Sequence, residues 1–295
     1  MAQLVARLAR IGRFTAVPAY QRFAYYCGAL LVLSGLFHVG VFLADGGSWE
    51  GPLSWRKPIV FGLSFGVTVV TLAWMLGFLH PRRAVAWIVV SVLAVASIGE
   101  VALISLQTWR GVPSHFNEST AFDERVFSLM GALVTVLVVL TVLITVWSFF
   151  RLDAPPSLAL AIRAGLVLMI VGQAVGVQMI VEGGSTFGAS GALKVPHALT
   201  LHAIQILPAL ALLLLLSDSV ERHRVRVVGV GIGGYAVLIA ATMLQTYGGR
   251  APLDPAPGVI LLALAGVALL VASWLVAARE LTSALHRSPE PTHGT

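Results

Sequence analysis

Five polar side chains fall inside or beside apolar runs where water is scarce: His38, Glu100, His115, His202 and Gln205. A neutral imidazole among apolar walls is a good ligand for haem iron, zinc or copper. A carboxylate beside it can act as a further ligand or as a general base on a bound water. His202 and Gln205 share a helix face, whereas His197 and His202 point about 140° apart on an unbroken helix, at roughly 100° per residue. The arrangement that makes chemical sense therefore pairs His202 with His38, as axial haem b ligands or as two ligands of Zn, Cu or Fe. Gln205 stands beside His202, Glu100 supplies the base, and His197 and His115 ligate at the mouth or transfer protons. The segment TWRGVPSHFNESTAFDER offers Arg110, His115, Asn117 and Asp123 as a lid.

Each of these residues also has a plainer reading. A single histidine in such a position is commonly a hydrogen-bonded structural residue, and Glu100 can do no more than satisfy one of them. Arg110 with Asp123 and Glu124 reads equally as a loop salt-bridge set. No spacing here has the specificity of an HExxH or a CxxC pair.

The elements that must hold these groups are apolar helices. The chain has 295 residues, 58% hydrophobic and 11% charged, with a mean hydropathy of +0.90, a composition beyond that of a soluble domain. Windows of about 20 apolar residues bounded by charge or by Pro and Gly fall at 22–44, 58–79, 84–106, 126–150, 160–182, 196–217, 226–247 and 258–279. The expected class is all-α, an integral membrane protein with eight transmembrane helices. Residues 1–21, with Arg7, Arg10 and Arg13 on one side, read as an amphipathic interfacial helix, and 281–295 as a disordered tail.

With both termini cytoplasmic, 13 of the 19 Lys and Arg residues lie in inner segments and 6 in outer ones. That is the asymmetry expected of a cytoplasmic membrane protein. The excess charge faces anionic lipid and forms no patch with interleaved aromatics, so nucleic acid is not an expected partner. Cys27 is the only cysteine, which excludes an internal disulfide and covalent haem attachment. The 17 Arg against 2 Lys suggest a high-GC bacterial source.

Two outer segments repeat each other. DGGSWEGPLSWRKP from Asp45 and EGGSTFGASGALKVP from Glu182 match at a separation of 137, and LQTWRG at Leu106 answers LQTYGG at Leu244 at 138. Two parallel four-helix repeats, 22–150 and 157–280, are therefore expected, related by an axis along the membrane normal. In the later register His202 answers Ser64, Gln205 answers Val67 and Glu100 answers Leu238. The candidate residues thus occur in one copy only, all at the depth of the outer leaflet.

With SWRKPIVFGLSFGVT, LQTWRGVPSHFNESTAFD and VPHALTLHAIQILP laid out, the chain resembles a family of bacterial multi-pass membrane proteins carrying RGxxSHFN and PHxxxLHxxQxLP-like motifs. The resemblance groups these residues and implies no activity. Three functions stay open. One is a haem or metal protein, with redox or other catalysis on a lipid-soluble or periplasmic substrate. The others are a small-solute transporter or channel, and a lipid-binding receptor or structural subunit.

Overall fold

The computed structural model describes residues 17–286. The chain is all-α with eight helices long and apolar enough to cross a membrane, and it divides into two compact units, the sequence passing from one to the other between Asp153 and Ala154.

The N-terminal unit contains α1 (Ala19–Asp45), α2 (Arg56–Leu76), α3 (Arg83–Trp109) and α4 (Ala121–Phe150), with a 3₁₀ turn, Gly77–Leu79, closing α2. Apolar surface gives no net drive for helix association in lipid, so close packing depends on small residues. Gly28 and Gly35 of α1 face Gly66 and Gly62 of α2. A Cβ placed on Gly62 would stand 2.9 Å from the Gly35 Cα, and one on Gly66 would stand 2.6 Å from the Gly28 carbonyl oxygen. α3 packs on α1, α2 and α4 through a buried stripe that includes Leu93, Ser97, Glu100, Ile104 and Gln107, at helical spacing.

The C-terminal unit contains α5 (Pro156–Val181), a two-stranded hairpin pairing Thr186–Phe187 with Gly191–Ala192, then α6 (Lys194–Leu201), α7 (Ala203–Leu215), α8 (Glu221–Tyr247) and α9 (Pro257–His286). α6 and α7 together form one span, interrupted at His202. α5 starts with Pro at its first position, and the Glu221 carboxylate of α8 accepts the Ser157 N–H at 2.6 Å. That bond satisfies a donor the first turn cannot pair internally.

α3 and α8 end alike. Gly111 and Gly249 take φ of +69° and +67°, and their N–H groups donate to the Thr108 and Thr246 carbonyls, both at 3.0 Å. The left-handed conformation costs glycine little, which suits it to this capping position.

The observed bounds correct three expectations. α1 begins at Ala19, so residues 19–21 belong to the first span, while an interfacial helix over 1–16 lies outside the described residues. α9 runs on to His286, so 281–286 are helical, and the remainder of the expected tail lies outside the described residues. α4 begins at Ala121, which places Asp123 in its first turn and not in the lid.

Candidate functional site

The end of α3 and the start of α4 are tied by one buried carboxylate. Asp123, 1% exposed, accepts at Oδ1 from Gln107 Nε2 at 2.9 Å and Arg110 Nη1 at 2.6 Å. Its Oδ2 accepts from Thr120 Oγ1 at 2.7 Å, and Thr120 in turn accepts the Asp123 N–H at 3.1 Å as the helix N-cap. The Arg110 guanidinium also donates to Gln107 Oε1 and lies 4.5 Å over the Phe122 ring. Asn117 braces the loop between them, donating to the Pro113 carbonyl at 3.0 Å and accepting from Ser119 Oγ at 2.6 Å. Arg110, Asn117 and Asp123 thus build and anchor the loop.

His115 is the residue this loop delivers. Phe116 after it has φ +57°, a left-handed conformation a bulky residue adopts at a cost of order 1 kcal/mol. The His115 ring sits among Phe61, Phe116 and Phe127, with centroids 5.5, 6.2 and 6.5 Å away. Nδ1 contacts Ser114 Oγ at 2.9 Å, and Nε2 faces Glu100 Oε1 across 4.0 Å. Burial, with Lys57 adding repulsion, pushes the imidazole down to about 4. At neutral pH the ring is therefore uncharged. Lys57 Nζ itself donates to the Pro52 carbonyl at 2.8 Å.

Glu100 is 1% exposed. Its Oε2 has no hydrogen-bond partner among the described residues, and Ser97 Oγ, one turn away on the same buried stripe, has none either. Unpaired polar atoms are rare in interiors and point to an unseen partner. The 4.0 Å gap to His115 exceeds a direct hydrogen bond. It matches two bonds of about 2.8 Å meeting at one shared oxygen at roughly 90°.

His38 has different company. Its Nδ1 lies 2.8 Å from the Ser34 carbonyl and must carry the proton there, while Nε2 accepts the Trp109 indole N–H at 3.1 Å. Trp55 stacks on the ring at 6.0 Å and donates its own N–H to Asp45 at 2.7 Å. Both His38 nitrogens are committed, and ligation would break the bond to Trp109. Among the described residues no three His, Cys, Asp or Glu side chains form a group able to hold a metal. His38 in this arrangement does not fit an axial haem ligand or a metal ligand.

In the C-terminal unit His197 contacts the Gly172 carbonyl through Nδ1 at 2.7 Å, and its ring fills the space beside Gly176. His202 stands between α6 and α7 with Nδ1 3.2 Å from Gln205 Oε1. The Leu199 carbonyl, which Ala203 would engage in an unbroken helix, accepts the Tyr235 hydroxyl at 2.6 Å. The interruption falls at His202 itself, so His197 and His202 stay on one helical segment, closed by the His202 N–H donating to the Ala198 carbonyl at 3.2 Å.

Of the residues selected from sequence, Glu100 and His115 face each other within the N-terminal unit. His202 and Gln205 pair within the C-terminal one. Ser97 and Trp109 join them as residues whose roles appear only in the structure. Ser97 was visible as the residue three before Glu100 on one helix face, whereas the partner of the Trp109 indole, 71 residues away, left no signal.

No family model, curated protein or solved structure matches this chain. The functional reading therefore rests on the geometry of Glu100 and His115.

Proposed function

We propose that this is a multi-pass protein of a bacterial cytoplasmic membrane. Its N-terminal unit binds a small oxygen-bearing molecule between Glu100 and His115 and exchanges a proton with it. The observation that carries the reading is the buried Glu100 carboxyl, with one unpartnered oxygen and the other 4.0 Å from a neutral imidazole. An oxygen seated in that gap can give a proton to one group and take one from the other, which is general acid–base chemistry. Phe61, Phe116 and Phe127 supply apolar walls that limit competing water.

The 13-to-6 distribution of Lys and Arg supports cytoplasmic termini and hence a site in the outer leaflet. The ligand then arrives from the lipid or the periplasm. The matched caps at Gly111 and Gly249 support a duplicated scaffold. In that register Leu238 answers Glu100, so the acid–base pair belongs to one copy. Below Ser97 the buried stripe continues as Leu93, Val90 and Ala86, which favours a closed-ended site over a conduction path.

Native mass spectrometry of the detergent-purified protein tests the reading. A co-purifying small molecule retained by the wild type and lost from both Glu100→Gln and His115→Ala supports it. A molecule retained equally by all three contradicts it.

A further inference from the structure

A second candidate site lies in the C-terminal unit, where α8 begins and α9 leaves its apolar run, with no residue in common with the Glu100 pair. α9 carries no charged side chain from Gly258 to Ala278, a run of 21 residues. At about 1.5 Å per residue that run covers the roughly 30 Å hydrocarbon core. Arg279 and Glu280 follow it directly, at the level of lipid headgroups. There Asp218, Ser219, Arg279, Glu280 and Ser283 line a cavity of about 340 Å³.

The cavity has a fixed wall and an available cation. Glu280 accepts from His223 Nε2 at 2.6 Å and from the Ser219 hydroxyl, so its carboxylate is held against α8. The Arg279 side chain has no hydrogen bond or ion pair among the described residues, while its backbone carbonyl accepts from Thr282 Oγ1 at 2.9 Å. It also ends a lipid-facing stripe: Leu261, Leu264, Val271 and Leu275 are exposed at three-, seven- and four-residue steps, and Arg279 is four residues further. A molecule whose polar end fills the cavity would lay its apolar end along that stripe.

The lining selects the polar end. Both signs of charge line the cavity, Arg279 and Glu280 among them, so a purely anionic headgroup meets a carboxylate as repulsion. A quaternary ammonium cannot donate hydrogen bonds to carboxylates and is best held by aromatic faces, and no lining residue is aromatic. A primary ammonium donates to carboxylates, and a phosphodiester pairs with guanidinium and hydroxyl donors. We infer that this cavity binds the headgroup of a zwitterionic aminophospholipid, with its phosphodiester on Arg279 and its ammonium on the Glu280 carboxylate, which His223 and Ser219 hold in place.

The test is native mass spectrometry of the full-length protein released from nanodiscs of equal parts dioleoyl phosphatidylethanolamine, phosphatidylglycerol and phosphatidylcholine. The wild type should retain phosphatidylethanolamine about tenfold over either competitor, and Arg279→Gln should abolish that preference while Arg279→Lys keeps part of it. Circular dichroism checks that Arg279→Gln keeps the wild-type helicity. Equal retention of the three lipids would overturn the proposal, as would preference for phosphatidylglycerol or an unchanged preference in Arg279→Gln. Free phosphoethanolamine binding as tightly as the lipid would overturn the role of the α9 stripe and with it the assignment to a membrane lipid. The outcome is independent of Glu100→Gln, so this site and the acid–base site stand or fall separately.

Discussion

Arg110 Nη1 meets Asp123 Oδ1 at 2.6 Å, and this contact closes the loop that carries His115 toward the helix bearing Glu100. The carboxylate is nearly inaccessible, while the Arg110 side chain is 36% exposed. The Asp123 carboxylate therefore acts less as a source of Coulomb energy than as the shared acceptor of Gln107, Arg110 and Thr120.

Removing that acceptor leaves several donors unpaired at once. Asp123→Ala is expected to destabilise the N-terminal unit by about 2–4 kcal/mol, below the full cost of splitting a buried pair because Arg110 reaches solvent. Thermal unfolding in detergent measures the loss, and Asp123→Asn should lose less because its carbonyl still accepts.

His115 gives the chain a defined acid sensitivity. Its folded value of about 4 lies below the ordinary 6.5, so between those limits the unfolded chain binds more protons than the folded one and stability falls as pH falls. Above the upper limit the contribution of this group is constant. The groups around it are Lys57 and Phe61 of α2, Glu100 of α3, Phe127 of α4, and Ser114 and Phe116 of the loop. His115→Gln should flatten the dependence of the thermal midpoint on pH across that window, and a wild-type slope retained in the variant would refute the assignment.

The bond between Trp109 and His38 makes a structural claim that competes with haem ligation. Trp109→Phe should cost about 1–2 kcal/mol, the loss of one partly buried hydrogen bond. His38→Ala should lower the thermal midpoint and leave the visible absorption spectrum of the purified protein unchanged. A Soret band that disappears with His38→Ala would show that the ring is an iron ligand after all.

Gly62 sits where α1 and α2 touch backbone to backbone. A Cβ there would lie 2.9 Å from both the Gly35 Cα and the Leu31 carbonyl oxygen, so Gly62→Ala must push the helices apart. The expected cost is about 1–3 kcal/mol, read as a lowered thermal midpoint. Gly40→Ala, where the added Cβ meets nothing within 4 Å, should be neutral or slightly stabilising.

The eight spans were legible because about 20 apolar residues in a row are a one-dimensional signal. The span bounds erred where polar residues are helical: Asp123 and Glu124 look like loop to a hydropathy window, yet they occupy the first turn of α4, where carboxylates favour the helix N-terminus. The interruption at His202 was invisible for another reason. Neither glycine nor proline stands at that position, and the hydroxyl that takes the displaced Leu199 carbonyl comes from Tyr235, 36 residues away. Depth along the membrane could be estimated for Glu100, but the facing of Glu100 and His115 depends on a loop fold set by Asp123 and Asn117. The commitment of His38 to Trp109 was likewise a tertiary fact with no local pattern.

Infrared difference spectroscopy of the reconstituted protein across a pH step tests the central claim most directly. A proton-exchanging Glu100 predicts a protonated-carboxyl band that vanishes in Glu100→Gln and shifts in frequency in His115→Ala, because the two groups share one hydrogen-bonded oxygen. A band absent from the wild type, or one unmoved by His115→Ala, would contradict an acid–base pair at Glu100 and His115.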